Sequence, residues 1–242
     1  MSALLSISGL TKSFGAIVVA DDTSFDVMQG EAVGILGPNG AGKTSLFNLI
    51  TGALGPDAGR IAFAGQDISA TSAARRCKLG IARSFQVPEP FGGMTVFENA
   101  LVGATQGAGM HGHEAQAHVL NVLDETGLMP KANVRAGSLT LLERKRLEMA
   151  RALSAKPKLL LLDEIAGGLT ESECIALIDT IKRVHAGGTT IIWIEHVVHA
   201  LLAVVERLIV IDFGKKIAEG PPKTIMDSPE VREIYLGVDP DV

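Results

Sequence analysis

The chain has 242 residues, 47% hydrophobic and 20% charged, a globular composition with room for one large domain or two small ones around a sizeable core. A net charge of −5 and a pI near 5.7 exclude a general electrostatic attraction to nucleic acid or anionic lipid, so no nucleic-acid partner is expected. Two distant cysteines, Cys77 and Cys174, exclude a disulfide scaffold and a cysteine-rich zinc site and read as free thiols of a reducing compartment.

The opening MSALLSISGL lacks the basic-then-apolar order of a secretory signal. No apolar run approaches the roughly 18 residues of a spanning helix; IIWI and ALLAVV are the size of strands or core helices. The positive mean hydropathy, +0.29, therefore points to a buried core or a docking face. LSISGL and TSFDV alternate apolar and polar positions and predict antiparallel strands. AVGILG (32–37) is a continuous apolar strand that runs into a glycine-rich loop. TSLFNLITGAL (44–54) follows with helical periodicity, placing Leu46, Leu49, Ile50 and Leu54 on one side. GPDAGR is a turn and RIAFAG a strand.

From about residue 70 to 155 the pattern is mostly helical, with loops at VPEPFGG (87–93) and GATQGAGMHGH (103–113). Strands return at LLLLD (159–163), TTIIWIE (189–195) and RLIVID (207–212), with helices between them. The tail, GKKIAEGPPKTIMDSPEVREIYLG, predicts a short hairpin and a final helix. Continuous apolar strands alternating with helices imply a parallel sheet covered on both faces. The expectation is one α/β domain over 1–242. Residues 1–86 and 156–242 would form its core, with an N-terminal antiparallel part, and about 87–155 a helical insertion.

GPNGAGKT (37–44) fits the phosphate-loop pattern G-x-x-x-x-G-K-[ST] between a strand and a helix. Backbone amides in such a loop form an anion nest, and the helix N-terminus adds a favourable dipole. Gly37, Pro38, Asn39, Gly40, Ala41, Gly42, Lys43, Thr44 and Ser45 are thus candidates for holding ATP. Lys43 would reach the β and γ phosphates, and Thr44 would offer a hydroxyl to Mg2+. KLLLLDE supplies the second half of such a site. Asp163 ends a buried strand, where it can hold Mg2+ through water, and Glu164 can position or deprotonate the attacking water. HGH (111–113) has no third ligand nearby in sequence and reads as a solvated loop.

Phosphate loop, Asp-Glu strand and helical insertion together resemble the ATP-binding subunit of an ABC transporter over essentially the whole chain. On that resemblance the fold is a P-loop ATPase core, and Phe14 in KSFGA stacks on adenine. Gln86 in ARSFQVPEP bridges the metal site to the helical part, and His196 in IIWIEHVVHAL contacts the γ-phosphate. LTLLERKRLEMARAL resembles the family's signature motif, which places Thr140 at a partner's ATP across a dimer. GIARSFQ, FGGMTVFENALVGA, LFNLITG and the closing IYLGVD look like the ATPases of branched-chain amino acid importers; carriers of urea and short amides are close relatives. The resemblance implies ATP and Mg2+ as cofactors and a peripheral place on the cytoplasmic face of a bacterial-type inner membrane. It implies two polytopic permeases, a second ATPase subunit (a heterodimer rather than a homodimer) and an external substrate-binding protein. Residues 87–96 would face the permease. A soluble, non-transport ABC-type ATPase is the alternative; the single core and acidic pI weigh against it.

Two stretches depart from the family pattern. GGLT puts Thr170 where many members have an aspartate. The signature, commonly Leu-Ser-Gly-Gly-Gln, is Leu139, Thr140, Leu141, Leu142 and Glu143 here. Leu142 replaces a residue small enough to let amides approach phosphate, and Glu143 brings a negative charge to a helix N-terminus. Thr140-x-x-Glu143 also predicts a capping box, in which each side chain bonds the other's backbone N–H.

Overall fold

The computed structural model describes residues 3–236, with side chains through residue 233. The last residues of the IYLGVD stretch therefore lie outside the described residues.

The alternating N-terminal pattern forms β1 (Leu5–Phe14) and β2 (Ile17–Val27), antiparallel, with Leu5 opposite Val27 and a turn at Gly15. β3 (Ala32–Leu36) is buried along its whole length and leads through the glycine-rich loop to α1 (Lys43–Thr51). This helix stops short of Leu54 because Gly52 takes the left-handed conformation that ends helices. β4 (Ala58–Phe63) and β5 (Gln66–Asp67) complete an antiparallel sheet in the order β2-β1-β4-β5.

The next stretch departs from the expected run of helices and loops in two places. α2 (Ala73–Leu79) is followed by β6 (Ile81–Ser84), a strand too short for its periodicity to be read. α3 (Val96–Val102) continues as a π-helical segment, Gly103–Gly107, where a loop was expected. A Cβ at Gly103 would lie 2.3 Å from the Arg151 carbonyl oxygen, so this glycine permits close packing rather than a turn. α4 (Gly112–Glu125) starts inside the HGH stretch, and α5 (Leu141–Ser154) carries the signature-like sequence.

β7 (Leu159–Asp163), α6 (Glu171–Ala186), β8 (Thr190–Ile194), α7 (Val198–Leu202) and β9 (Arg207–Asp212) follow as expected. β10 (Lys215–Gly220) folds back on β9 as the hairpin, followed by α8 (Pro222–Met226) and α9 (Pro229–Leu236). The larger sheet has the order β10-β9-β3-β8-β7-β6, parallel except at β10.

Its central strands β3, β7 and β8 are buried along their whole length because each faces two cores. Leu159 and Leu161 of β7 join a cluster with α1 and the antiparallel sheet, including Leu5, Ile7 and Phe47. Leu160 and Leu162 join a second cluster with the helices, including Leu147, Leu177 and Trp193. The parallel strands end on one edge, so the segments after β3, β6, β7 and β8 come together, the usual ligand position in such sheets.

Candidate active site

The loop after β3 is shaped by close contacts that exclude side chains. A Cβ at Gly37 would lie 2.1 Å from the Ile211 carbonyl oxygen, and one at Gly42 2.3 Å from that of Val19. Gly42 also has φ +102°, a conformation open mainly to glycine. Gly214 N–H donates to the Ala41 carbonyl at 2.9 Å, which anchors the loop to the β9–β10 turn. Ala41 is buried, Pro38 and Ser45 half-buried, and Asn39 and Gly40 exposed along the rim. The N-terminus of α1 has no side-chain cap and no acidic residue in its first turn, so its amides and its dipole remain available to an anion.

Lys43 folds back over this loop. Its Nζ donates to the carbonyls of Gly37 at 2.7 Å and Pro38 at 2.8 Å. Burial lowers the pKa of its ammonium, and the nearby charges of Glu164 and Asp163 partly oppose that. Thr44 is exposed and lines a cavity of about 470 Å³ with Asp163, Arg83 and Gln86.

Asp163, at the end of β7, is 2% exposed. Its Oδ2 is ion-paired with Arg83, and its Oδ1 is buried without a hydrogen-bond partner. Glu164 has φ +46°, a left-handed conformation that costs a non-glycine residue roughly 1–2 kcal/mol. Its amide donates to the Ile194 carbonyl at 2.8 Å, which ties it to β8. Gln86 Nε2 donates to Glu164 Oε2 at 2.5 Å, and His196 Nε2 lies 2.9 Å from Oε1. Two residues named from sequence, Gln86 and His196, thus converge on the carboxylate of a third, Glu164.

Two others stand apart from this cluster. Phe14 is 51% exposed near the hairpin tip, with Lys12 Nζ 5.4 Å from its ring centroid. Its hairpin nonetheless reaches the phosphate loop through the Val19 carbonyl beside Gly42. Thr140 is the N-cap of α5 and forms the expected capping box: its amide donates to Glu143 Oε2 at 2.9 Å, and Glu143 N–H donates to Thr140 Oγ1 at 3.4 Å. Thr170 caps α6 in the same way with Glu173.

Three further charged residues were not singled out from sequence. Arg83 pairs with Asp163. Glu195, 1% exposed, accepts from the amides of Ala166 at 2.8 Å, His196 at 2.9 Å and Val197 at 3.3 Å, and so binds together the segments after β7 and β8. Lys145 of α5, 4% exposed, donates to the Glu164 carbonyl at 3.4 Å; burial lowers its pKa, opposed by Glu195 and Glu164. A charge embedded in or abutting an apolar run, as in IIWIEH, was the available signal.

The sequence profile of the ABC transporter family matches residues 20–167 of this chain. The chain belongs to that family. A second profile, that of the branched-chain amino acid ATP-binding cassette transporter, matches residues 215–241. Relatives of this ABC chain include the high-affinity branched-chain amino acid transport ATP-binding protein BraF of Pseudomonas aeruginosa, 33% identical over 97% of this chain and 98% of BraF. LivG of Escherichia coli, of the same description, is 33% identical over the same shares. The lipopolysaccharide export system ATP-binding protein LptB of Acidithiobacillus ferridurans is 35% identical over 98% of each chain. Crystal structures of an ATP-binding cassette from an ABC transporter, nucleotide-free and in an ADP conformation, each superpose with a TM-score of 0.89 at 31% identity, covering 98% of this chain and 100% of theirs. The fold is therefore that of the P-loop ABC ATPases, and the chain is an ATPase subunit of a transporter. Among the described residues, no helix is long and apolar enough to cross a membrane.

Proposed function

We propose that this ATPase energises an importer of branched-chain or other hydrophobic amino acids. The observation that carries the reading is the match of residues 215–241 to the branched-chain profile, beside the full-length similarity to BraF and LivG. The similarity to LptB supports a second reading, in which the same ATPase drives export of a lipid-linked cargo.

In this reading residues 1–86 and 156–242 are the nucleotide-binding core and 87–155 a helical subdomain. Gly37 to Ser45 cradle the phosphates, and Phe14 stacks on adenine. Lys43 exchanges its two carbonyl partners for phosphate oxygens, a change its short distance from the loop favours. Residues at the site suit Mg2+: Asp163, whose buried Oδ1 is unpaired, lines one cavity with Thr44 and Gln86, an oxygen donor set apt for a hard cation. Bound there, Mg2+ would neutralise phosphate charge. Glu164 takes the proton of the attacking water, and Gln86 and His196 hold its carboxylate in place until nucleotide draws them to the phosphates. Thr140 meets the ATP of a second ATPase subunit.

Coupling would run through the surface after Gln86. Phe85, Val87, Phe91 and Met94 are exposed apolar side chains, and a cavity of about 570 Å³ opens beside them between Cys77, Phe85, Gly107 and Arg151. An apolar groove of this kind suits a segment of a polytopic permease, one of two fed by an external binding protein, with the ATPase on the cytoplasmic face. Purification of the intact complex, followed by ATPase assays with each amino acid and its binding protein, tests this. Stimulation by leucine, isoleucine or valine is expected. Stimulation only by a lipid cargo would replace it with the second reading.

A further inference from the structure

Asp163 is nearly inaccessible to water, and a buried carboxylate needs a positive partner. Arg83 supplies it: its side chain is 8% exposed, its Nη2 pairs with Asp163 Oδ2, and its Nη1 donates to Asn48 Oδ1 at 2.6 Å. The guanidinium lies over two rings, 5.4 Å from the centroid of Phe47 and 5.2 Å from that of Phe85. Phe47 is buried, whereas Phe85 is 55% exposed. Arg83 and Phe85 line both the cavity that holds Asp163 and Thr44 and the apolar groove beside it.

Two cations cannot share one buried carboxylate without repulsion, which poor solvation magnifies. A metal ion on the free Oδ1 would stand close to a guanidinium already held on Oδ2. We propose that Arg83 is a positioning residue that competes with the divalent cation for Asp163, and that the Phe85 ring sets how firmly Arg83 holds on. This rests on the reading that Asp163 faces the metal. Arg83 keeps the carboxylate paired when no metal is bound and makes metal loading depend on its own displacement. Because Phe85 also borders the groove, whatever presses on that ring biases the exchange.

The test is the coupling between metal and ADP, which needs no turnover. ADP affinity is measured by calorimetry in Mn2+ and in chelator, and the ratio of the two dissociation constants is the coupling factor. Arg83→Gln removes the competing charge and is expected to raise that factor about tenfold. Arg83→Lys keeps the charge and should stay within about twofold of the parent. Phe85→Ala, at an exposed ring, should raise it roughly threefold by removing one of the two cation–π contacts. Asp163→Asn should abolish the coupling.

An unchanged or smaller factor in Arg83→Gln, with coupling still lost in Asp163→Asn, overturns the role of Arg83 and leaves the metal site standing. Coupling that survives Asp163→Asn overturns both. If Arg83→Gln does not fold, Phe85→Ala decides alone, and an unchanged factor there overturns the proposal.

Discussion

Two loop-to-helix junctions in this molecule, at the starts of α1 and α5, end in opposite electrostatic states. At the start of α1, Gly42 leaves the first amides without a side-chain cap, and no acidic residue stands in the first turn. At the start of α5, Thr140 and Glu143 satisfy each other's amides, and Glu143 is further drawn to Lys131 at 3.3 Å. α5 thus uses the device of α3 (Thr95 and Glu98) and α6 (Thr170 and Glu173). The first junction is built for a ligand that supplies the missing negative charge; the second is complete by itself. The comparison teaches that a helix start can occupy a ligand-facing place in a family and still be arranged for local stability.

The sharpest way to break the first half of the contrast is at Glu164. Glu164→Gln should lower ATP turnover by about 10²–10⁴-fold while ATP binding and ATP-dependent dimerisation persist. Comparable activity in that variant would remove Glu164 from the chemistry. Lys43→Ala should weaken ATP binding by about 2 kcal/mol, roughly thirtyfold, measured by calorimetry, because only the α1 junction relies on an added charge. Gly42→Ala meets the Val19 carbonyl and a positive φ, so a loss of about 2 kcal/mol in a denaturant titration is expected.

The second half of the contrast is broken at Glu143. Glu143→Ala should cost about 1 kcal/mol of stability at neutral pH. The hydrogen bond from the Thr140 amide, helped by Lys131, lowers the Glu143 pKa below its ordinary value of 4.5. A group lowered in the folded state stabilises above its unfolded pKa. The difference between parent and variant should therefore be full above pH 4.5 and shrink as the pH falls through the lowered value. A difference that grows on acidification would contradict the capping box.

What could be read from sequence was local or steric. The phosphate loop is legible because its glycines answer to contacts and backbone angles that no other residue meets, and the Thr140–Glu143 box because it closes over three residues. The continuous apolar strands were legible because each feeds two cores. β6 escaped because four residues, IARS, carry too little pattern, and its place in the sheet depends on pairing with β7. The π segment at 103–107 escaped because glycine there serves packing against Arg151, which composition alone reads as a loop. Arg83 and Asp163 are 80 positions apart, and Glu195 acts across two strand ends; such partners become visible only when the sheet brings them together. The long-range polar contacts are thus the part of the candidate site that the chain order hides.

The central claim is that α5 has given to its own cap the amides that α1 leaves for phosphate. The direct measurement is the ATP concentration needed to dimerise this subunit in the Glu164→Gln background, by analytical ultracentrifugation, with and without the Leu142→Gly, Glu143→Ala pair, which removes the side chain that bonds the Thr140 amide. The paired substitution should shift dimerisation to ATP concentrations several-fold lower, by roughly 1 kcal/mol of closure free energy. An identical ATP dependence would mean that the cap withholds nothing from the nucleotide and that the altered signature is only a structural variant.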